Sequence, residues 1–340
     1  MNGNATIRHS GTALLAVTGL DAPVIVPSTW FDEQLAASLK RLRLPRGLLQ
    51  RVAGVHERRW WDADTAFDDA AISAGAKALA ESGVEAADVG LLINTSVTRA
   101  HLEPSVASKV HDGLGLPSSA MNFDLTNACL GFVNGLTLAA SLIDSGQIRY
   151  AVIVDGEDAR PTQEATLARL GGPDSTKQDF MDAFATLTLG SGAAAAVLGP
   201  AADHPGGHRI LGGITRAATQ HHDLCVGDFR GMRTDPVGLL AGGLELVGEA
   251  WLEAKAEWDW TDMDRYVMHQ VSTVHSEKIV EALGLDPARV PLTFPKFGNV
   301  GPAALPLTLA SEVDSLAAGD RVLCMGVGSG LNTAMIEIAW

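Results

Sequence analysis

The chain has 340 residues, of which 46% are hydrophobic and 19% are charged, and it contains 36 glycines and 15 prolines. This composition excludes a disordered, collagen-like or coiled-coil chain, and it suffices for one large hydrophobic core or two smaller ones. The formal net charge is −15, from 40 acidic and 25 basic side chains, which argues against a nucleic acid as a partner.

The cysteines and the N-terminal sequence indicate the compartment. Cys129, Cys225 and Cys324 are an odd number of widely separated residues, a pattern that is typical neither of a disulfide framework nor of a zinc site. The first twenty residues lack the basic region and sustained apolar core of a signal peptide, and no apolar run approaches ~18 residues. We therefore expect a soluble, cytoplasmic protein without a membrane span.

Short apolar strands alternate with alanine-rich helical stretches, which predicts an α/β protein whose sheets are covered by helices. In the first half, the predicted elements are the helix DDAAISAGAKALAESG, the strand VGLLINTSV, a helix ending in LGLP, the segment CLGFVNGLTLAASLIDSGQIRYAVIVDG and the strand GSGAAAAVL. The second half repeats the order with GGLELVGEAWLEAKAEW, YVMHQVS, a helix ending in LGLDP, NVGPAALPLTLASEVDSLAAGDRVLCMGVG and GSGLNTAMI. The sequence thus predicts two pseudo-symmetric halves, residues 1–200 and 201–340.

The spacing of corresponding positions supports this duplication. Cys129 and Val152 are as far apart in the sequence as Asn299 and Val322. The halves are offset by 170 residues at these positions but by 138 residues at the two GSG sequences, so the first half carries about 32 extra residues, at about 156–187. Because long insertions in compact domains tend to be functional, we interpret this segment as a lid or a partner surface. A solvated decoration is the alternative.

Three residues at corresponding ends of the duplicated units form a candidate site. Cys129 begins a long apolar helix, Asn299 holds the matching position in the second half, and His269 ends a strand. The positive end of a helix macrodipole lowers the pKa of a thiol, which makes Cys129 the candidate nucleophile. His269 and Asn299 would donate hydrogen bonds to the oxyanions that develop on a thioester. Cys225 and Cys324 are interpreted as small buried hydrophobic residues.

Four sequences carry a resemblance to a known family. NACLGF around Cys129, VMHQVS around His269, GNVGPA around Asn299 and the closing GSGLN resemble the Cys-His-Asn condensing enzymes of the thiolase superfamily, of the ketoacyl-ACP synthase III type. Within that group, LLINTSV, HLEPS, FDLTNACLGF, VDGE and HQVS are most similar to the OleA-type enzymes, which join two fatty acyl-CoA molecules head to head. The resemblance covers nearly the whole chain.

The resemblance implies a thiolase fold, with five layers in the order αβαβα built from the two halves, and a homodimer. It implies that Cys129 carries the first acyl group, that His269 and Asn299 bind the thioester carbonyl, and that the backbone N–H groups of Cys129 and Gly330 form a second oxyanion hole. Glu103, in LEPS, matches the family's base, which acts in the opposite subunit. Coenzyme A thioesters are then the substrates, no cofactor is bound permanently, and downstream pathway enzymes are further partners.

The condensation reactions that such a site can catalyse differ in whether they require a general base. Removing an α-proton from an ordinary acyl thioester requires a base, whereas loss of carbon dioxide from a malonyl thioester does not. We predict a non-decarboxylative Claisen condensation of two fatty acyl-CoA molecules to a 2-alkyl-3-oxoacyl-CoA, with a decarboxylative 3-oxoacyl-ACP synthase III as the alternative. A thiolase with Cys324 as its base, a cysteine amidase or peptidase and a catalytically silent subunit are less favoured.

The substrates also require an apolar enclosure and a binding site for phosphates. The sequence VGLLAGGLELVG is a candidate tunnel wall, although its composition equally suits an ordinary core. Coenzyme A phosphates need basic residues at the mouth of the tunnel, and Arg58 and Arg59 in HERRWW are the candidates.

Overall fold

The computed structural model describes residues 6–228 and 231–340. Its strands are β1 Thr6–Arg8, β2 Thr12–Asp21, β3 Val24–Pro27, β4 Glu57–Trp60, β5 Val89–Asn94, β6 Met121–Asp124, β7 Tyr150–Glu157, β8 Gly192–Pro200, β9 His208–Ala217, β10 Cys225–Asp228, β11 Gly231–Thr234, β12 Arg265–Met268, β13 Arg321–Gly328 and β14 Asn332–Ala339.

The α-helices pack on both faces of the main sheet. They are α1 Ser28–Gln34, α2 Ala36–Leu42, α3 Leu48–Ala53, α4 Phe67–Ser82, α5 Val106–Gly113, α6 Gly131–Asp144, α7 Arg160–Gly171, α8 Lys177–Asp182, α9 Phe184–Leu187, α10 Pro236–Ala254, α11 Thr273–Leu283, α12 Phe294–Phe297 and α13 Ala304–Glu312. Within the described ranges, none of these helices combines the length and the apolar character needed to cross a membrane.

The main sheet consists of two half-sheets with the same strand order. Its order is β12-β13-β14-β9-β2-β8-β7-β5-β6, and β1 pairs with β9. The halves join where β2 pairs with β9 over two residues, Ala13 with Arg209 and Leu14 with His208. Outward from this join, β2, β8, β7 and β5 in the first half correspond to β9, β14, β13 and β12 in the second. This arrangement is the duplication that the repeated sequence pattern predicts.

Three hydrophobic clusters divide the fold into five layers. Successive side chains of a strand point to opposite faces, so Ile153 of β7 faces the centre of the molecule and Val152 faces outward. In the central layer, α6 and α13 pack through residues such as Leu136 and Leu305 against both half-sheets. Helices α4 and α5 cover the outer face of the first half-sheet, and α10 and α11 cover that of the second. The predicted αβαβα thiolase fold is therefore confirmed.

The extra segment predicted at about 156–187 is helical and packed onto the N-terminal helices. It starts in the last two residues of β7 and continues through α7, α8 and α9. Phe180 shares a hydrophobic cluster with Trp60, whose indole N–H donates to the Gln163 side chain at 2.7 Å. The segment also lines the cavity described below, through Met181 among others, and its interpretation as a lid or a partner surface stays a prediction.

Candidate active site

One cavity brings the predicted catalytic residues together. It has a volume of about 480 Å³, and Cys129, His269 and Asn299 all line it. Apolar side chains form most of the remaining wall. Helix α10 contributes residues at helical spacing, which are Val237, Leu240, Leu244 and Val247. The sequence VGLLAGGLELVG therefore faces this cavity along one side of its helix.

Cys129 lies in a tight turn between β6 and α6. The residue before it, Ala128, has a φ of 45°, a left-handed conformation that is unusual for a residue with a Cβ atom and that stores backbone strain. The turn is closed by its own backbone, because the N–H of Leu130 donates to the carbonyl oxygen of Asn127 at 3.0 Å. The fold thus holds the thiol at the cavity wall in a strained turn.

A glycine turn from the second half packs directly against the turn that holds Cys129. A Cβ atom at Gly328 would lie 2.9 Å from the carbonyl oxygen of Asn127, so only glycine permits this approach. The Asn332 side chain also donates to that of Asn127 at 3.4 Å. Gly330 follows in the same turn with a φ of 137°. It does not itself line the cavity, and its contribution to an oxyanion hole stays a prediction.

The enclosure of Cys129 determines its protonation state. Burial, followed by the charges of Cys225, Glu157 and Asp155, raises the pKa of the Cys129 thiol to about 12. The net shift of this pKa is therefore opposite to the lowering that the sequence predicts from the helix N-terminus. Removing a thiol from water disfavours the thiolate, and this is the largest cause of the raised pKa. Cys129 is protonated before the reaction, and its attack on a substrate requires that the proton leave at the same time.

His269 follows directly after β12, and its backbone N–H donates to the carbonyl oxygen of Met325 on β13 at 2.9 Å. Burial, with a smaller contribution from the charge of His275, lowers the pKa of His269 to about 4. Its Nδ1 atom is buried and finds no hydrogen-bond partner among the described residues. At neutral pH the ring is uncharged, so it has one N–H group to donate and one nitrogen that can accept a proton.

The side-chain amide of Asn299 is oriented by its own loop. Its Oδ1 atom accepts the backbone N–H of Gly301 at 2.9 Å, which leaves the Nδ2 hydrogens as donors for another group. The loop is held from the other side, where the Asn299 N–H donates to Thr188 and the Asn299 carbonyl accepts from Gly190, both at 2.9 Å. The structure therefore presents Asn299 as a fixed hydrogen-bond donor.

Glu103 does not line the cavity of its own chain. It lies in the loop between β5 and α5, where it is exposed, and its neighbour Leu102 is 86% exposed. The two ends of the loop are held, at Val97 by the Glu157 carboxyl group and at the start of α5 by the Asp124 carboxyl group. The two ends of the loop are therefore fixed, and the tip that carries Glu103 projects away from them.

Arg58 and Arg59, which the sequence predicts at the mouth of the cavity, do not line it. Arg58 is completely buried, donates to the carbonyl oxygen of Leu187 at 2.9 Å, and has a pKa that burial lowers to about 9. Arg59 pairs with Glu57 at 2.9 Å, and neither arginine lines the cavity. Arg58 therefore binds the protein's own backbone, and its assignment to a coenzyme A phosphate is wrong because solvent does not reach it.

The two remaining cysteines have different environments. Cys324 is completely buried in the core between the half-sheets, which excludes it as the base of a thiolase-type site. Cys225 is half-buried and lines the cavity with Cys129, and its Sγ atom lies 3.7 Å from the hydroxyl oxygen of Thr234. The interpretation of Cys225 as a core residue is therefore wrong, and the cavity contains a second thiol.

A group of basic residues that was not among the predicted site residues lies close in sequence to a helix of the cavity wall. Helix α3 lines the wall through Leu48 and Val52, and Val52 is 48% exposed, which places it at the opening. In a chain of net charge −15, the sequence KRLRLPRGLLQR is the signal that identifies this cluster. It provides five exposed basic residues on α2, on α3 and between these helices, which are Lys40, Arg41, Arg43, Arg46 and Arg51.

Comparison with known proteins identifies condensing enzymes as the relatives of this chain. Residues 123–166 match 3-oxoacyl-[acyl-carrier-protein (ACP)] synthase III, and residues 254–340 match the C-terminal region of that family. The chain is 42% identical to the acyl-CoA:acyl-CoA alkyltransferase of Xanthomonas campestris, over 96% of this chain and 98% of that protein. The protein of the same name from Shewanella oneidensis is 35% identical, over 94% of this chain and 96% of its own length.

Solved structures agree with these sequence matches. A Cys-to-Ser variant of Xanthomonas campestris OleA with bound lauric acid and lauroyl-CoA superposes with a TM-score of 0.95 at 40% identity, covering 98% of this chain and 100% of that chain. OleA from the same organism with bound cerulenin gives a TM-score of 0.96 at 41% identity, covering 98% of both chains.

Proposed function

This chain belongs to the OleA-type condensing enzymes of the thiolase superfamily, and on that premise we propose that it joins two fatty acyl-CoA molecules by a non-decarboxylative Claisen condensation. The product is a 2-alkyl-3-oxoacyl-CoA. The observation that carries this proposal is the convergence of Cys129, His269 and Asn299 on one apolar cavity.

In the first step, the Cys129 sulfur attacks the thioester carbonyl of an acyl-CoA. A thiol with a pKa of about 12 is a poor nucleophile, so its proton leaves as the carbon–sulfur bond forms. This proton is taken up by the departing coenzyme A sulfur, so that coenzyme A leaves as the free thiol. Acyl-Cys129 and free coenzyme A result, and the N–H groups of Cys129 and Gly330 stabilise the intermediate oxyanion.

In the second step, a base removes an α-proton from another acyl-CoA, and the resulting carbanion attacks the acyl-Cys129 carbonyl. The carbon–sulfur bond to Cys129 breaks, the Cys129 thiolate takes up one proton, and the base releases the proton that it removed. Negative charge develops on the second acyl-CoA's carbonyl oxygen during proton removal. His269 and the Nδ2 hydrogens of Asn299 are the donors for that oxygen.

A homodimer supplies the base in this proposal, with Glu103 acting in the partner's cavity. The exposure of Glu103 and its absence from its own cavity support this arrangement. Strand β6 lies at the end of the sheet order, and large apolar side chains are exposed near it, at Val97, Leu102 and Met121. An edge strand beside such a patch favours burial against a second copy.

We expect His269→Ala and Asn299→Ala to leave Cys129 acylation largely intact while condensation becomes slow. Loss of one oxyanion donor typically costs about 10²–10³ in rate, because the donor acts on charge that develops only in the transition state. Single-turnover acylation and steady-state condensation, followed by mass spectrometry, separate the two steps. A condensation loss below tenfold in both variants would contradict the assigned roles.

The basic cluster on α2, on α3 and between these helices is the proposed site for the coenzyme A phosphates. Replacing Arg43 and Arg46 together by glutamine is expected to raise KM for acyl-CoA about tenfold with little change in kcat, because charge-assisted contacts to phosphate are lost. The control substrate is an acyl-N-acetylcysteamine thioester, which has no phosphate and should show an unchanged KM. An equal rise in KM for both substrates would contradict phosphate binding at this cluster.

Product analysis with one purified long-chain acyl-CoA tests the proposed function directly. A 3-oxoacyl product formed from that substrate alone, with release of coenzyme A, supports the head-to-head reaction. Formation only when a malonyl thioester is added, with release of carbon dioxide, would establish the decarboxylative reaction instead. Hydrolysis to a free acid without an acyl acceptor would support a hydrolase.

The cell compartment and the remaining partners follow from the same proposal. The free cysteines at positions 129, 225 and 324 are consistent with a reducing compartment, and we assign the protein to the cytoplasm. The reaction uses side chains and coenzyme A thioesters, so it requires no permanently bound cofactor. Enzymes that reduce or hydrolyse a 3-oxoacyl thioester are the expected downstream partners.

A further inference from the structure

Two buried carboxyl groups at the end of β7 have no role in the steps above. Asp155 is 0% and Glu157 is 7% exposed, and residues two apart on a strand share one face. Burial raises the pKa of Glu157 to about 7, and burial together with the charge of Glu157 raises that of Asp155 well above its ordinary value. Buried carboxyl groups are costly, so their contacts indicate what they do.

The Glu157 carboxyl group accepts three hydrogen bonds from the start of the loop that carries Glu103. One oxygen accepts the Val97 N–H at 2.6 Å, and the other accepts the Thr98 N–H at 3.1 Å and the Thr98 hydroxyl group. The Thr98 hydroxyl oxygen in turn accepts the N–H of Asp158 at 3.1 Å. Three donors directed at one group suit a carboxylate, which only accepts hydrogen bonds.

The other side of Glu157 faces the loop that carries Asn299. A Cβ atom at Gly301 would lie 3.5 Å from the Glu157 carboxyl carbon, so the two are packed together. Gly301 is the residue whose N–H orients the Asn299 side chain. One carboxyl group therefore lies between the loop of Glu103 and the loop of Asn299.

We propose that Glu157 is a positioning residue for condensation, whose carboxylate fixes the β5–α5 loop against the Asn299 loop and so sets where Glu103 projects. This inference rests on the proposed function, because the position of the loop matters to the reaction only if Glu103 acts as the base. Protonation of Glu157 turns one acceptor oxygen into a donor and weakens the attachment of Val97 and Thr98.

The ionisable groups around Glu157 determine the pH at which this attachment weakens. Asp155 lies beside it on β7, and Cys129 is close enough for the charges of both carboxylates to raise its pKa. The positive charge of Arg99 favours the Glu157 carboxylate, but burial outweighs it and raises the pKa of Glu157 from 4.5 to about 7. We therefore expect condensation to decline as the pH falls through about 7.

The contribution of Glu157 to the stability of the fold increases as the pH falls, whereas condensation is expected to decline. Because the folded protein binds a proton at Glu157 more tightly than the unfolded chain does, this group stabilises the fold at low pH. That contribution is fully present below about pH 4.5 and is lost as the pH rises through about 7. Glu157→Gln should therefore show a weaker pH dependence of unfolding than the wild type.

The test compares Glu157→Gln with the wild type in acylation and in condensation from pH 5.5 to 9. We expect Cys129 acylation to persist, condensation at pH 8 to fall by between about tenfold and 10²-fold, and the decline near pH 7 to disappear. Glu337→Gln is the matched control, since Glu337 is also a buried carboxyl group and accepts hydrogen bonds from Trp260 and Arg321 outside the cavity. It should lose stability without changing the pH profile.

Thr98→Val provides a second variant if Glu157→Gln does not fold. It removes the hydroxyl hydrogen bond that favours the Glu157 carboxylate, so the decline in condensation should move to higher pH. A Glu157→Gln profile equal to the wild type, or an unmoved decline in Thr98→Val, would overturn the positioning role while the proposed function stands. If the wild type makes no product from acyl-CoA alone, both the function and this inference fail.

Discussion

Cys129→Ala is expected to take up no acyl group and to lose condensation by about 10⁴-fold or more, because removing a covalent nucleophile removes a whole reaction path. The structure supports this expectation, because Cys129 lines the cavity from a strained turn whereas Cys324 is enclosed in the core. Incubation with one long-chain acyl-CoA, proteolysis and mass spectrometry should locate one acyl group on the peptide that contains Cys129.

Cys225 provides the stringent part of this test, because it is a second thiol in the same cavity. An acyl group on Cys225 in the Cys129→Ala protein, with condensation retained, would contradict the assignment of the nucleophile. Cys324→Ala is the matched control, since it also removes a thiol with a strongly raised pKa but does so outside the cavity. That variant should acylate and condense like the wild type.

Glu103→Gln is expected to become acylated at Cys129 and yet to make almost no condensation product. The α-proton of an acyl thioester is very weakly acidic, so the second step fails without a positioned base. A base that acts across a twofold dimer would give two composite sites, each with Cys129 from one chain and Glu103 from the other. Composite sites of this kind predict that two inactive variants restore activity when their subunits are mixed.

Mixed dimers of Cys129→Ala and Glu103→Gln subunits are expected to regain activity. Random pairing makes about half of the dimers mixed, and each mixed dimer holds one intact site of two, so about a quarter of the wild-type activity should return. The subunits must exchange or be co-expressed, and product formation is then compared with that of each variant alone. Glu164→Gln, a change at an exposed glutamate on α7, is the control that should retain full activity.

If Glu103 acts within its own chain, no mixed dimer contains a complete site, and the mixture will stay as inactive as its two components. A monomeric wild-type protein with full condensation activity would also contradict the arrangement. Sedimentation velocity on the same preparations provides that measurement. Together these results decide between action within one chain and action across the dimer.

The sequence predicts the fold well because its signals are local and repeated. Strands such as β7 are continuous apolar runs, since helices cover both of their faces, and the same order of elements occurs twice. The equal spacing of Cys129 to Val152 and Asn299 to Val322 places two turns at corresponding ends of the halves. That symmetry explains why residues 170 positions apart line one cavity.

Features that depend on packing between distant segments could not be predicted from the local sequence pattern. Arg58 and Arg59 occur in an ordinary basic pair, but Arg58 is buried by contacts with a segment about 130 residues away. Cys225 has no distinctive neighbours in the sequence, and only the fold brings it into the cavity. The contacts of Glu157 with Val97 and Thr98 likewise join two different strand ends.

The amino-acid sequence by itself determined the two halves and the three loops at which chemistry is expected, because apolar periodicity and residue spacing are properties of the chain. The five layers were implied by the resemblance to the thiolase superfamily. Only the tertiary structure decided the directions in which the pKa values of Cys129, His269 and Glu157 shift. Their pKa values depend on how completely water is excluded and on which charges and donors come close, and packing between distant segments sets both.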